Sequence, residues 1–200
     1  MRLPATAHTS RQWRIHELTA DFRLEDVWAL PTPGGPHDFP ALLDTFARGD
    51  AGRGSTGLVR ALWTIRWTVG RVLGWDRPDA GVDVRVGSLR ERLPADLRAA
   101  RRGPELATGP FRAVYLLDDE WAAEVANRTM HGVLHLGWVD DGEGGYRGQM
   151  AVLVKPNGLL GHLYMAAIRP ARHLVVYPSL LREIGRRWRS RPHASAQAER

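Results

Sequence analysis

The sequence predicts an α+β fold in which a curved antiparallel sheet is closed over by one long C-terminal helix. Three observations carry that expectation. Four strand-like runs follow one another between residues 111 and 155, "FRAVYLL", "EWAAEVAN", "TMHGVLHLGWV" and "YRGQMAVLVK", with "DDGEGG" between the last two as the plainest turn. Within 159–188, Leu160, Leu163, Ala167, Leu174, Tyr177, Leu181, Ile184 and Trp188 recur at helical spacing. A sheet of that kind must bury one face, and this terminal stripe is the long apolar surface available to cover it.

Residues 11–30 mix apolar and charged side chains and supply an opening strand, and "PTPGGP" at 31–36 is a loop by composition. Asp38 is placed to cap a short helix carrying Phe39, Leu42, Leu43 and Phe46. "ARGDAGRGSTG" breaks it. A longer helix is expected over "LVRALWTIRWTVGRVLGW", with Leu58, Leu62, Ile65, Val69 and Val72 on one stripe and Gly74 at its end. The stretch 76–110 is rich in Pro, Gly, Asp and Arg and offers one strand around "VDVRVG". Pro170 and Pro178 kink the terminal helix, since proline has no N–H to donate. Residues 1–190 form one domain, and 191–200 are a polar, disordered tail.

The chemistry concentrates in "ANRTMHGVLHLGW", residues 126–138. On a helix, His131 and His135 would share one face and could share a metal. That reading places Gly132 and Gly137 inside the helix, at about 1 kcal/mol each relative to alanine. As a strand the segment sorts Met130, Leu134, Leu136 and Trp138 onto one face and His131 and His135 onto the other. The strand is preferred. If Asn127-Arg128 is a two-residue hairpin turn, Glu124 pairs with His131, Glu120 with His135, and Trp121 with Leu134. Four residues along a strand span about 13 Å, too far for one metal to bind both imidazoles; no metal is expected. A polar face opposite an apolar one ordinarily meets water, so the first expectation is a solvated face with ordinary cross-strand pairs. The chemical alternative is acid-base work by His131 or His135, oriented by Glu124.

Other signals exclude more than they identify. The chain has no cysteine, hence no disulfide, thiolate site or cysteine nucleophile. The net charge of +6 comes almost wholly from arginine, Lys155 being the single lysine, and no nucleic-acid module accompanies it; no nucleic acid is expected. The longest apolar run is too short to span a bilayer and no secretion signal opens the chain, which predicts a cytoplasmic protein with no membrane span. "GRGSTG" at 52–57 matches a dinucleotide fingerprint literally, but a helix precedes it, so an interhelix loop capped by Ser55 or Thr56 is the better reading. Nucleophile-elbow, phosphate-loop and zinc-protease motifs are missing, and no cofactor is expected.

"PFRAVYLLDDEW" and "VKPNGLLGHLYMAAIRPARHLVVYPSLLR" resemble an uncharacterised domain family of the START-like superfamily, which also holds polyketide cyclases and lipid and hormone binders. The similarity is best over 110–188 and weaker in "VWALPTPGGPHDFPALLDTF" and "LVRALWTIRW". It implies a helix-grip fold, with an apolar cavity between sheet and terminal helix. No catalytic motif of a characterised member maps onto this chain.

These readings converge on binding of a hydrophobic or aromatic small molecule. Trp121, Met130, Leu134, Trp138, Met150 and Tyr164 are the lining candidates, and they could equally fill a solid core. The alternative is an enzyme of cyclase or dehydratase type that moves a proton through His131, His135 and Glu124. A structural module with a filled core is the third reading, and a homodimer is compatible with each.

Overall fold

The computed structural model describes residues 1–47, 82, 86–106, 110–127 and 129–191. The expected helix 58–75, the "GRGSTG" loop and the tail beyond 191 lie outside them, as do residues 83–85 of the expected strand at 82–87. The side chain of Tyr164 lies outside them too.

Two single-turn helices, α1 (Thr6–Thr9) and α2 (Ile15–Leu18), precede strand β1 (Arg23–Ala29) and helix α3 (Phe39–Ala47). After a 3-10 turn (Leu89–Arg92) and the short helix α4 (Ala95–Arg98) come β2 (Arg112–Leu116), β3 (Glu120–Ala126), β4 (Met130–Asp140) and β5 (Tyr146–Pro156). The chain ends in α5 (Gly158–Ala171), a π-helical turn (Arg172–Val176) and α6 (Tyr177–Ser190). All neighbouring strands are antiparallel, in the order β1-β5-β4-β3-β2. The protein is therefore α+β, with a five-stranded antiparallel sheet and a C-terminal helix.

The sheet is buried on both faces. On one, Trp121, Leu136, Trp138 and Met150 pack with Trp28, with Phe39, Leu42 and Leu43 of α3, and with Tyr177, Ile184 and Trp188 of α6. The Trp138 and Trp188 rings lie 5.8 Å apart, and their indole N–H groups donate to the carbonyls of Gly35 and Pro33, which ties loop 31–36 to this layer. On the opposite face, Trp13, Ile15 and Leu18 from the N-terminal segment and Leu89, Leu93 and Leu97 from the 3-10 turn and α4 cover Tyr115, Ala122, Val133, Ala151 and Leu153. Gly137 makes this second layer fit: a Cβ there would stand 2.7 Å from the Trp13 ring.

Three expectations are corrected. The β3–β4 turn does not fall at Asn127-Arg128, because the Asn127 N–H donates across it to the Met130 carbonyl at 2.9 Å. Ala126 pairs with His131, Glu124 with Val133 and Trp121 with Leu136, a slip of two positions that preserves every side chain's face. The connection is held instead by Asn127, whose Oδ1 accepts from the N–H of Thr129 and of Met130 and from the Thr129 hydroxyl. The acid-histidine face is not solvated, because the N-terminal segment and α4 roof it. The terminal stripe does not run unbroken: the π turn between Pro170 and Pro178 shifts its phase, so Tyr177, Ile184 and Trp188 are buried while Leu163 and Leu174 are 61% and 77% exposed.

Candidate functional site

On one face of β3 Glu120 and Glu124 alternate with Ala122 and Ala126, and on β4 His131 and His135 flank Val133, so all four project onto the roofed face. Each acid reaches its histidine diagonally. His131 Nε2 lies 2.8 Å from Glu124 Oε2, and His135 Nε2 lies 2.8 Å from Glu120 Oε2. Glutamate and histidine are long enough to close the diagonal of an antiparallel pair, whose direct partners here are Val133 and Gly137. His131 and His135 are only 3% and 1% exposed. Among the described residues no group of three or more His, Asp or Glu is arranged to hold a metal.

The two pairs have different surroundings. Glu124 also accepts from the Ser88 hydroxyl and from the Leu89 N–H at 3.0 Å, so it fastens the start of the 3-10 turn to the sheet. Burial pushes its carboxyl upward, but the hydrogen bonds from His131, Ser88 and Leu89 outweigh that and hold it below the usual glutamate range. Phe22 packs edge-on against the His131 ring at 5.1 Å. The second pair belongs to a row. Glu120 accepts from the Tyr115 hydroxyl at 2.9 Å and from the Arg14 N–H at 2.9 Å, while His135 Nδ1 lies 3.2 Å from His8 Nε2. The His8 ring meets the His16 ring edge-on at 4.8 Å. Burial pulls the Glu120 carboxyl up; His135, the Arg14 N–H and the Tyr115 hydroxyl bring it below its ordinary value. Burial pushes the His135 imidazole down despite Glu120, and burial with the neighbouring His135 and His16 takes His8 down to about 3. A neutral His135 donating from Nε2 to the Glu120 carboxylate has an acceptor Nδ1, so His8 donates to it from Nε2.

The helix face carries the apolar candidates. Trp121, Trp138 and Met150 are enclosed by packing, whereas Leu134 and Met130 remain half-buried, as does Val152 opposite Leu134. The lining candidates and the acid-histidine set thus occupy opposite faces of one sheet. Beside Val152 sits a polar cluster that sequence reasoning missed. Asp26 pairs with Val152 just after a β-bulge at Glu25 and is fully enclosed. Its Oδ2 accepts from the Tyr177 hydroxyl at 2.9 Å and lies 3.0 Å from an Arg172 nitrogen, and its Oδ1 lies 2.9 Å from His173 Nε2. Arg172 also donates to Glu25 at 3.2 Å. Asp26 alternates with Trp28 and Leu30 onto the helix face, while the bulge leaves Leu24 on the opposite layer, and the π turn brings Arg172 and His173 to it together. Burial and the Asp26 charge push the Tyr177 phenol well above its ordinary value. His8, His16, Tyr115 and Ser88 were also missed; an acid-histidine contact between β3 and β4 is local enough to infer, but one between His8 and His135, 127 residues apart, is not.

At its N-terminus α5 is seated on the β3–β4 turn. The Asn157 N–H donates to the Thr129 carbonyl at 2.8 Å, and Gly161 packs so closely that a Cβ would lie 2.2 Å from that same oxygen.

The molecule so described is an α+β protein whose antiparallel sheet carries buried acid-histidine pairs on one face and, on the other, a partly accessible apolar strip ending at an Asp26-anchored π turn. Residues 18–179 match the family model described as "Protein of unknown function (DUF2867)", and the chain belongs to that family. No curated protein and no solved structure matches the chain. No helix among the described residues is long and apolar enough to cross a membrane.

Proposed function

We propose that this protein binds an apolar or aromatic small molecule on the helix face of its sheet, within a START-like helix-grip frame. The observation that carries the reading is the half-buried row of Met130, Leu134 and Val152. It lies between the N-terminus of α5, seated at Thr129, and the π turn, anchored at Asp26. Elsewhere on this face Trp121, Trp138 and Met150 are packed solid and would form the wall behind a ligand. The strand order supports the frame: the last strand, β5, lies between β1 and β4 and leads directly into the terminal helix.

Affinity would come from covering apolar surface, at about 25 cal/mol per Å². Asp26, Arg172, His173 and Tyr177 would orient the polar end of the ligand, in the way that a few placed polar groups fix orientation in an apolar site. The other reading, proton transfer by His131 or His135 with Glu124, needs a substrate on the roofed face, and no observation favours it.

Native mass spectrometry of the full chain purified from its own host tests the binding reading, together with titration of anilinonaphthalene sulfonate as an apolar probe. A co-purifying small molecule is expected, and L134K should weaken probe binding at least tenfold while leaving the fold intact by circular dichroism. No adduct, with probe binding unmoved by L134K, would overturn the reading.

A further inference from the structure

The row of imidazoles beneath the N-terminal segment is not used by the proposed binding site, and its geometry sets it apart from ordinary core packing. His16, His8 and His135 follow one another with ring centroids 4.8 and 5.0 Å apart, each meeting the next edge-on. The Trp13 ring closes the row from above, 5.2 Å from His135. One carboxylate, Glu120, terminates the row, and it already accepts from His135, the Tyr115 hydroxyl and the Arg14 N–H. His8 Nδ1 and His16 Nε2 are buried without a hydrogen-bond partner among the described residues. The hydrogen bonds run in one direction, from His8 Nε2 to His135 Nδ1 and from His135 Nε2 to Glu120, so a proton added to His8 Nδ1 finds no acceptor.

We propose that the row of His16, His8 and His135, closed at one end by Glu120, is an acid-sensitive latch that holds residues 6–18 on the sheet and releases them when His8 and His135 take up protons. Most charged and titratable groups that face the row are committed elsewhere; Asp119, whose carboxyl is pushed upward by burial and the Glu120 charge, is the nearest further acid. On the segment itself the Arg14 guanidinium is committed to Glu17 and Asp96, and Arg11 stacks on the outer side of Trp13 at 5.9 Å. From β2 comes the Tyr115 hydroxyl and from β3 Glu120, with Asp119 beside it. From β5 comes Gln149, whose amide donates to the Ala7 carbonyl at 3.2 Å and carries no charge. The segment is also built to let go. Neither α1 nor α2 has a side-chain N-cap, and both are single turns, too short to persist once undocked.

The sign follows from linkage. Histidines that are neutral when docked and free to charge when released make release proton-coupled, so the opening equilibrium rises up to tenfold per pH unit for each such histidine as pH falls below about 6.5. Burial lowers both His8 and His135, and two coupled protons are expected.

Hydrogen exchange of the full chain between pH 8 and 5, corrected for intrinsic exchange rates, tests this. Amides of residues 6–18 should lose protection before those of β3, β4 and β5, with a slope approaching a hundredfold per pH unit. H8F keeps the ring and removes its titration, and should reduce the slope to about tenfold. H8Q, which keeps a polar side chain at that position and cannot titrate, keeps the test decisive if H8F fails to fold and should reduce the slope likewise. Loss of protection in step with the sheet, or a slope unchanged in the variant that folds, would overturn the proposal.

Discussion

His131 donates to Glu124 across 2.8 Å although Val133, not His131, stands directly opposite that glutamate in the β3–β4 ladder. The diagonal leaves one carboxylate oxygen for the Ser88 hydroxyl, and Glu124 therefore joins two strands and the 3-10 turn in one buried contact. Replacements should separate charge from hydrogen bonding. In E124Q the amide can turn its NH2 toward Ser88, whose hydroxyl reverses, while the remaining oxygen still accepts from Leu89 and His131; a loss of about 1–2 kcal/mol follows. E124A leaves those donors unpaired in the interior and should cost about 3–5 kcal/mol. Urea unfolding measures both. D21N, which removes an exposed partner of Lys155, should change stability by less than about 1 kcal/mol in the same assay. Equal losses in the two Glu124 variants would contradict this account.

Asp26 is the counterpart on the other face. It gathers Tyr177, Arg172 and His173 at the one place where the terminal helix leaves α-helical geometry. A π turn costs helical hydrogen-bond geometry and persists where something compensates. D26A should therefore destabilise the protein by about 3 kcal/mol and speed amide exchange in residues 172–176 more than in α6. Y177F, which removes one donor and keeps the ring against Trp28, should cost about 1 kcal/mol. Exchange in the π turn that is indifferent to D26A would show that the prolines alone set the break.

What was legible in the sequence follows the range of the interaction. Period-two alternation in "TMHGVLHLGWV" placed His131 and His135 on one strand face, and proximity along the chain paired them with the acids of β3. The exact register escaped because it depends on Asn127, whose side chain bonds three donors in the turn, where Asn127-Arg128 reads as a simple two-residue link. The burial of the acid-histidine face was illegible for another reason. Its roof comes from Trp13, Ile15 and Leu18, too few to set a period, and from Leu89, Leu93 and Leu97, whose four-residue spacing is interrupted by Pro94 and so does not read as one helix. Asp26 gave no signal because its partners are remote: in "RLEDVWAL" it alternates with Trp28 and Leu30 onto the helix face, but Arg172, His173 and Tyr177 lie far along the chain, Tyr177 151 residues away, and only the fold brings them to it. Leu163 and Leu174 fitted the terminal stripe until the π turn changed its phase.

Gly161 illustrates a position where propensity and packing oppose each other. Replacing a helical glycine with alanine ordinarily gains up to about 1 kcal/mol. Here the added Cβ would fall 2.2 Å from the Thr129 carbonyl oxygen, a backbone atom that also accepts the Asn157 N–H and cannot easily retreat. G161A should therefore lower stability and loosen the seat of α5 on the β3–β4 turn, seen as faster exchange at Asn157. L163Q, on the exposed side of the same helix, should change stability by no more than about 0.5 kcal/mol. A stabilised G161A would mean that α5 does not rest on the turn.

Tyr115 and Tyr177 supply a prediction at the alkaline end. Burial, then the Glu120 charge, pushes the Tyr115 phenol far above its ordinary value near 10; burial and Asp26 do the same to Tyr177. Each hydroxyl donates to a carboxylate, so ionising it would set two negative charges side by side. A folded-state value raised above the unfolded one gives stability that is fully present below pH 10 and is lost as pH rises beyond it, because the unfolded chain releases these protons first. Tyrosinate absorbance followed against circular dichroism should show these two phenols, of the four tyrosines, ionising only as the fold is lost. Y115F should reduce the pH dependence of stability above pH 10 by about one proton, or roughly 1.4 kcal/mol per pH unit. Ionisation of all four before any unfolding would place both hydroxyls in water and remove the carboxylate contacts on which the two faces of the sheet depend.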